Sequence, residues 1–190
     1  INPRISKETL GNNQKLVAFV SMASVTTNGT VYSGEERKLI EVSKGYTFFQ
    51  KGDVLLAKIT PCFENGKAAV VSGLSHDIGF GSTEFHVLRP KKDVDVRYLF
   101  HQVWNPAFRF HGVKNMTGTA GQKRLPTDFL KRFTVYLPPL PEQKRIAAIL
   151  DKADGIRKKE PRHGGHYQQP QRTIFFNLHN RDSAPLAPAR

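Results

Sequence analysis

A proline-rich stretch, Leu137–Leu150 (LPPLPEQKRIAAIL), divides the sequence into two unequal parts. Its last proline, Pro141, has a fixed φ and no N–H group, which suits the first position of a helix. Glu142 then complements the positive end of the helix dipole. The stretch predicts a domain that ends at residue 140 and a helix over residues 141–159. At about 1.5 Å per residue that helix is roughly 28 Å long.

The predicted helix carries an apolar stripe with spacings of three and four residues, typical of a helix–helix seam. The stripe consists of Ile146, Ile149, Leu150, Ala153 and Ile156. Two uses of such a stripe stay open. It can pair with a helix of another chain or segment, or it can fold back on its own domain, which is the more common use.

The region before the helix predicts a strand-rich domain over residues 1–140. Apolar, partly β-branched runs separated by glycine turns predict strands. These runs occupy residues 15–22, 46–49, 54–59, 67–71 and 84–89. A helix over 96–104, capped by Asp95 and ended by Asn105-Pro106, follows them, and residues 133–137 alternate as a last strand. The predicted fold class is α+β, with a curved antiparallel or mixed sheet.

Residues 160–190 differ from the rest of the chain. Prolines and glycines interrupt them and no helical or strand period survives. We therefore expect an irregular, disordered tail. The sequence begins with Ile1 rather than Met, so we expect a piece to be missing upstream.

Composition narrows the class of partner. The chain has 29 basic and 16 acidic residues, a net charge of +13 and a pI near 10.0, and most of the excess lies before residue 157. This charge favours a polyanion, with a basic surface kept for solubility as the alternative. Cys62 is the single cysteine, which excludes a disulfide within the chain and a cysteine-based zinc site. We expect a cytoplasmic protein without a metal or cofactor.

Three segments resemble one known family. Residues 137–154 resemble the PPL-x-EQ-x-x-I signature of the DNA-specificity subunits of type I restriction–modification enzymes. Residues 52–59 (GDVLLAKI) are similar to the GD-[IV]-L-x-x-[KR]-[IV] strand of that family. Residues 118–126 (GTAGQKRLP) resemble its G-x-x-Q-x-x-[IL] loop. The resemblance covers about residues 15–159.

The resemblance implies a non-catalytic target recognition domain that reads one half of a bipartite double-stranded DNA site. It also implies methyltransferase subunits and a restriction (translocase/endonuclease) subunit as partners. Family members normally hold two recognition domains and this chain has one, so it resembles a half-subunit. The helical pattern collapses after Lys159, which predicts a truncated or frameshifted C-terminus. Two copies that pair through residues 141–159 would rebuild a two-domain reader.

Three glycine-bearing loops supply candidate DNA contacts. Bases require directional side chains, whereas phosphates require cations or N–H groups. Gln122 suits adenine, Lys123 and Arg124 suit phosphate or guanine, and Glu84 suits cytosine. The candidates are Lys58, Thr60, Asn65, Lys67, Ser82, Thr83, Glu84, Thr119, Gln122, Lys123 and Arg124. Ordinary turns and a basic surface loop are the alternatives, and Arg109 is a weaker candidate resting on its charge.

The alternatives are an enzyme, either a DNA adenine methyltransferase fragment or a nuclease, and a protein-interaction adaptor. A DNA adenine methyltransferase needs a [DNS]PP[YFW] turn, and Asn105–Phe108 (NPAF) lacks the second proline. A nuclease needs a metal-binding acidic cluster, and the sequence offers no convincing one. The other alternative is a protein-interaction adaptor that uses the amphipathic helix while its basic charge is incidental.

Overall fold

The structure is a computed structural model that describes residues 1–6, 14–32 and 35–159. The predicted tail over 160–190 lies outside the described residues. The strands are β1 Leu16–Val20, β2 Glu35–Lys38, β3 Thr47–Gln50, β4 Val54–Ala57, β5 Ala68–Val70, β6 Ile78–Gly81 and β7 Phe85–Leu88. The helices are α1 Leu39–Val42, α2 Val96–Trp104, α3 Pro106–Lys114, α4 Thr127–Arg132 and α5 Leu140–Lys159.

The strands form two sheets. The first has the order β2-β1-β6-β3, in which β1 and β6 are parallel and the other pairs antiparallel. The second has the order β5-β4-β7 and is antiparallel throughout. Strands and helices thus share one domain, and the predicted α+β class is confirmed.

Three apolar clusters stack the elements in layers. The inner cluster joins the sheets through Val20, Phe49, Leu55 and Val87. Leu56 of β4 turns to the opposite face, where the second sheet packs on α2, α3 and α4. Successive β4 residues thus enter two different clusters, as a strand buried on both faces requires. A third cluster places α1 against the outer face of the first sheet.

The helical corner after β7 differs from the prediction. The Asp95 carboxylate accepts the N–H groups of Arg97 and Tyr98, so the predicted cap of α2 is confirmed. Asn105-Pro106 ends α2 as expected but also begins α3, because the Asn105 side chain accepts the Ala107 N–H at 2.8 Å. Proline is tolerated in a first helical turn, where its missing N–H group costs nothing. Asn105-Pro106 therefore ends α2 and begins α3.

The predicted last strand over residues 133–137 is wrong. Residues 133–139 form no strand in the structure. Phe133 packs edge-on against Phe108 with ring centroids 4.8 Å apart. The Tyr136 carbonyl accepts the Tyr98 hydroxyl at 2.7 Å instead of a strand partner. Aromatic packing and one side-chain hydrogen bond thus hold residues 133–137, although their alternating apolar and polar side chains are typical of a strand.

Half of the glycine-bearing loop predicted at residues 79–84 is strand. Gly79 and Gly81 belong to β6, which lies between β1 and β3. A Cβ atom on Gly79 would lie 2.5 Å from the Phe49 ring and 2.6 Å from the Ala18 carbonyl oxygen. Glycine is thus required here for close packing of the sheet. Only Ser82, Thr83 and Glu84 remain as a loop.

Helix α5 begins at Leu140, one residue before the predicted start. It lies against α2 through the buried Gln143 and Ala147. Ile149 and Ile156 of the predicted stripe are more than half exposed, at 55% and 57%. Among the described residues, no helix has the length and apolar content that crossing a membrane requires.

Candidate nucleic-acid interface

Three of the predicted DNA-facing segments meet at one end of the second sheet. The Lys58 N–H donates to the Glu84 carbonyl at 2.9 Å, and the Leu125 N–H donates to the Lys58 carbonyl at 2.8 Å. The Thr60 N–H donates to the Lys123 carbonyl at 2.9 Å. Residues 58–60, 82–84 and 118–125, distant in the sequence, are thus joined by backbone hydrogen bonds. We call this combined surface the loop platform.

Thr60 ties Gly121 and Lys123 of the 118–124 loop to the segment that follows β4. Its hydroxyl donates to the Gly121 carbonyl at 3.0 Å and accepts the Lys123 N–H at 3.1 Å. The Thr60 side chain therefore supports the loop from within the platform. Its predicted contact with DNA remains a prediction.

The 118–124 loop closes on itself at its base. Thr117 and Arg124 exchange backbone hydrogen bonds of 3.0 and 2.8 Å, and the Gln122 N–H donates to the Thr119 carbonyl. Gly118 has a φ of +126°, which L side chains rarely adopt. Backbone bonds and the Thr60 hydroxyl thus hold the loop, which leaves the Thr119, Gln122 and Lys123 side chains available to solvent.

Gln122 and Lys123 are the most available side chains of the platform. Both are exposed. Within the described part of the chain, no hydrogen bond or ion pair uses either side-chain terminus. An amide and an ammonium presented in this way can donate to a base edge and to a phosphate respectively. Thr119 and Thr83 are exposed on the same platform.

Arg124, predicted to bind phosphate or guanine, and Glu84, predicted to bind cytosine, are paired with each other. Their side-chain nitrogen and oxygen atoms lie 2.8 to 3.1 Å apart in a two-pronged contact. Hydrogen bonding from the Arg124 guanidinium lowers the pKa of Glu84 below its usual range. The pair joins the 82–84 turn to the 118–124 loop, so DNA would have to compete with this contact to engage either group.

His86 supports the platform through a buried contact that no motif in the sequence indicates. Its Nε2 lies 2.8 Å from the Leu125 carbonyl and therefore donates to it. Burial lowers the pKa of His86, so the ring is neutral at physiological pH. The Asn2 amide approaches its Nδ1 at 3.5 Å. From the sequence, a histidine within an alternating strand is predicted to be an ordinary buried residue. Its contact with the Leu125 carbonyl is apparent only in the folded structure.

The remaining candidates lie apart or serve local turns. The Lys67 ammonium donates to the Met22 carbonyl at 3.1 Å, so one of its three N–H groups is used within the protein. Asn65 is exposed on the 61–66 turn. The Ser82 hydroxyl accepts the Glu84 N–H at 3.2 Å, as in an ordinary turn. Arg109 lies beside Gly66, so close that a Cβ there would be 2.3 Å from its Nη1.

The apolar stripe of α5 is exposed along most of its length. Ile149, Leu150 and Ile156 are 55%, 38% and 57% exposed, Ala153 is also exposed, and Ile146 is half-buried. The helix contacts its own domain through a different face that contains Gln143 and Ala147. The structure is therefore compatible with both uses of the helix that the sequence left open. One face folds back on the domain, and the stripe stays accessible to a partner.

Comparison with known proteins identifies the family. The family model described as "Type I restriction modification DNA specificity domain" matches residues 2–162. The chain belongs to this family. The specificity subunit of type I restriction enzyme EcoAI from Escherichia coli is 44% identical over 149 residues, which is 77% of this chain and 25% of that protein. The EcoEI specificity subunit, from the same organism, is 40% identical over 154 residues, or 80% and 25%.

Solved structures agree on the fold. The HsdS subunit from Thermoanaerobacter tengcongensis matches with a TM-score of 0.64 at 22% identity, covering 82% of this chain and 40% of that one. A chain from a structural study of assembly and conformational transition of a type I R-M system matches with a TM-score of 0.62 and 22% identity over 82% and 41%. The predicted resemblance to type I specificity subunits is confirmed.

The specificity domain spans about a quarter of the length of the curated relatives it matches. Its relatives are specificity subunits rather than methyltransferases or nucleases. The alternative interpretation as a methyltransferase fragment therefore finds no support in these comparisons, and the domain is a specificity component rather than an enzyme.

Proposed function

We propose that this specificity domain binds double-stranded DNA through the loop platform and reads one half of a bipartite target. The observation that carries the proposal is the convergence of the 58–60, 82–84 and 118–124 segments. Backbone bonds hold them, and Gln122 and Lys123 are left directed to solvent. The net charge of +13 supports a polyanionic partner. Membership of a DNA specificity family supports the same conclusion.

Two neighbouring side chains of the platform make different kinds of DNA contact, one to a base and one to a phosphate. The Gln122 amide offers a donor and an acceptor, the pair that adenine presents in the major groove. Lys123 offers a point charge without sequence information, suited to a phosphate. Thr119 and Thr83 add hydroxyl groups to the same surface, while Lys58 contributes a second, half-buried cation. Arg124 and Glu84 contribute to DNA contact only after their mutual pair opens.

The role of the domain in a larger assembly is a proposal of the same kind. We infer that it acts in the cytoplasm with the methyltransferase and restriction subunits of a type I system. The support is that its relatives are specificity subunits of type I restriction enzymes, of which it spans a quarter. A domain of this size would carry one recognition unit over residues 1–140 and one spacer helix over 141–159.

Selection from a random DNA pool tests the proposal directly. The protein, with and without a type I methyltransferase subunit, is incubated with random duplexes, and the bound sequences are determined. We expect one enriched half-site. Affinity for it should fall steeply between about 50 and 200 mM salt, because each phosphate contact releases counterions. Absence of enrichment together with salt-independent binding would refute the proposal and favour an adaptor.

The exposed stripe favours a second proposal, that two copies pair through α5 as a coiled coil. Ile149, Ala153 and Ile156 keep the spacing of a seam and are exposed in the single chain. Light scattering should show a dimer for the unaltered chain and for the control Lys144→Glu, and a monomer for Ile149→Glu. A strict monomer in the unaltered chain, with and without DNA, would contradict pairing.

A further inference from the structure

The contact between α5 and the rest of the domain is built mainly from polar groups. Gln143 is only 1% exposed. Its amide nitrogen donates to the Asp93 and Pro138 carbonyls, both at 2.8 Å, and its carbonyl oxygen accepts the Asp95 N–H at 2.9 Å. One side chain thus joins the start of α5 to the segment that precedes α2 and to the proline-rich boundary.

A second polar contact lies two turns further along the helix. The Asp151 carboxylate accepts a two-pronged contact from the Arg97 guanidinium of α2, with Nε at 3.0 Å from Oδ2. The same carboxylate lies 2.8 Å from Nε2 of His101, whose side chain is 6% exposed. Burial opposes the charge of Asp151, but the hydrogen bonds from Arg97 and His101 outweigh it and lower its pKa.

Apolar packing contributes little to this contact. Among the α5 side chains that the structure describes, Ala147 is the only apolar one that is fully buried. The larger apolar residues Ile149, Leu150 and Ile156 are directed to solvent. Further along, a cavity of about 270 Å³ separates the turn at residues 28–31 from the helix near Asp154 and Gly155. Leu140 and Ile146 of α5 are half-buried, so apolar side chains contribute to the contact while its hydrogen bonds supply directional constraints.

We propose that Gln143 and Asp151 are positioning residues that hold α5 at one fixed angle to the domain. Two polar contacts separated by eight residues on one helix face define a direction, which a single contact could not do. Because hydrogen bonds require specific geometry, they fix that direction more narrowly than apolar contacts would. The exposed stripe is then presented at a constant distance and direction from the loop platform. The functional meaning of that distance rests on the proposed DNA-binding role, but the fixed angle does not.

Distance measurement by pulsed electron paramagnetic resonance tests this inference on the full chain. Cys62→Ser removes the native thiol, and spin labels are placed at Lys44→Cys and Lys152→Cys, two exposed positions on the domain and on α5. Gln143→Leu and Asp151→Ala remove the two polar contacts. Lys144→Leu is the matched control, since it places the same new side chain on the solvent side of α5.

We expect one narrow distance distribution in the labelled parent and in Lys144→Leu. Gln143→Leu and Asp151→Ala should each shift the distance distribution or broaden it about twofold, as when a packed element opens locally. Unchanged width and mean in both Gln143→Leu and Asp151→Ala would overturn the inference. If Gln143→Leu fails to fold, Asp151→Ala decides alone, because its carboxylate is partly exposed. Affinity for a selected DNA duplex, read in parallel, should stay unchanged. If the labelled parent protein does not bind DNA, that result counts against the proposed function but not against the fixed angle of α5.

Discussion

Two segments with almost the same glycine pattern have opposite roles in this molecule. Residues 79–84 and 118–124 each contain two glycines beside polar side chains, and the sequence predicted both as DNA-facing loops. Residues 79–81 of the first belong to β6, buried in the middle of a sheet, and the second is an exposed loop. In both segments glycine allows a close backbone approach that a Cβ atom would prevent. Whether the segment is a buried strand or an exposed loop depends on the neighbouring side chains, which are apolar in one case (Phe80) and polar in the other (Gln122).

The largest expected effect comes from adding a methyl group in β6. Gly79→Ala would place its Cβ 2.6 Å from the Ala18 carbonyl oxygen, which as backbone cannot move aside easily. We expect a loss of about 3 kcal/mol of unfolding free energy, the upper end of the range for core overpacking. Urea denaturation followed by circular dichroism measures it. A loss below about 1 kcal/mol would show that the sheet adapts and that the close packing matters little.

The same substitution in the exposed loop should act on binding rather than on folding. Gly118→Ala forces a side chain onto a φ of +126° and places its Cβ 2.7 Å from the Gln122 carbonyl oxygen. Such local strain costs about 1–3 kcal/mol. Because the loop lies outside the core, we expect a modest loss of stability and about a tenfold loss of DNA affinity by fluorescence anisotropy. Equal losses of stability in Gly118→Ala and Gly79→Ala would remove the distinction between the two segments.

Two neighbouring side chains of the loop should separate specificity from affinity. Gln122→Ala should relax the preference for one base pair, with about 1–3 kcal/mol less discrimination at that position. Lys123→Ala should weaken all sequences alike and reduce the salt slope by about one unit. Binding to single-substitution variants of the selected duplex, measured at several salt concentrations, distinguishes the two. Identical, negligible effects of both changes would contradict the assignment of this loop to DNA contact.

The smallest effect is expected from the pair that joins the two segments. The pKa of Glu84 is lowered in the folded protein from its ordinary value of 4.5. The stabilisation by the Arg124 contact is therefore fully present above that value, and it is lost as the pH falls through the lower folded pKa. Glu84→Gln should remove this part of the acid sensitivity. The measurement is urea denaturation at neutral and acidic pH.

Arg124→Gln serves as the control for the same pair, because it removes the other partner at the same contact. Both variants should flatten the loss of stability with acid to the same extent. A variant that keeps the full acid sensitivity of the parent would show that other carboxylates account for it.

The sequence predicted the elements whose signals are local. Asp95 caps α2 as expected, because capping involves residues two and three positions away. The proline-rich boundary located the start of α5 within one residue. Apolar runs located β1, β3, β4, β5 and β7, whereas β2 and β6 were missed. β6 is a glycine-rich strand held between β1 and β3, and residues 133–137, predicted as a strand, pair with no strand in the described part of the chain.

The candidate site shows the same limit. The sequence identified the 118–124 loop and the segment after β4, but not that Thr60 holds the loop or that Arg124 pairs with Glu84, 40 residues away. Lys67 was predicted to contact DNA, and the sequence did not indicate that its ammonium also has the Met22 carbonyl as an internal partner. Side-chain chemistry can be read from sequence, whereas the choice between an internal partner and an external one depends on the tertiary structure.

The fixed base and free tip of the 118–124 loop bear on how new target preferences arise. Hydrogen bonds from Thr60, Thr117 and His86 secure residues 121–125, whereas residues 119 and 120 are exposed and remote from the apolar clusters. Extra residues at that tip would cost little, since loop-closure entropy rises slowly with length. Variation in length as well as in residue type is thus accessible to evolution at this position, without a penalty in the core.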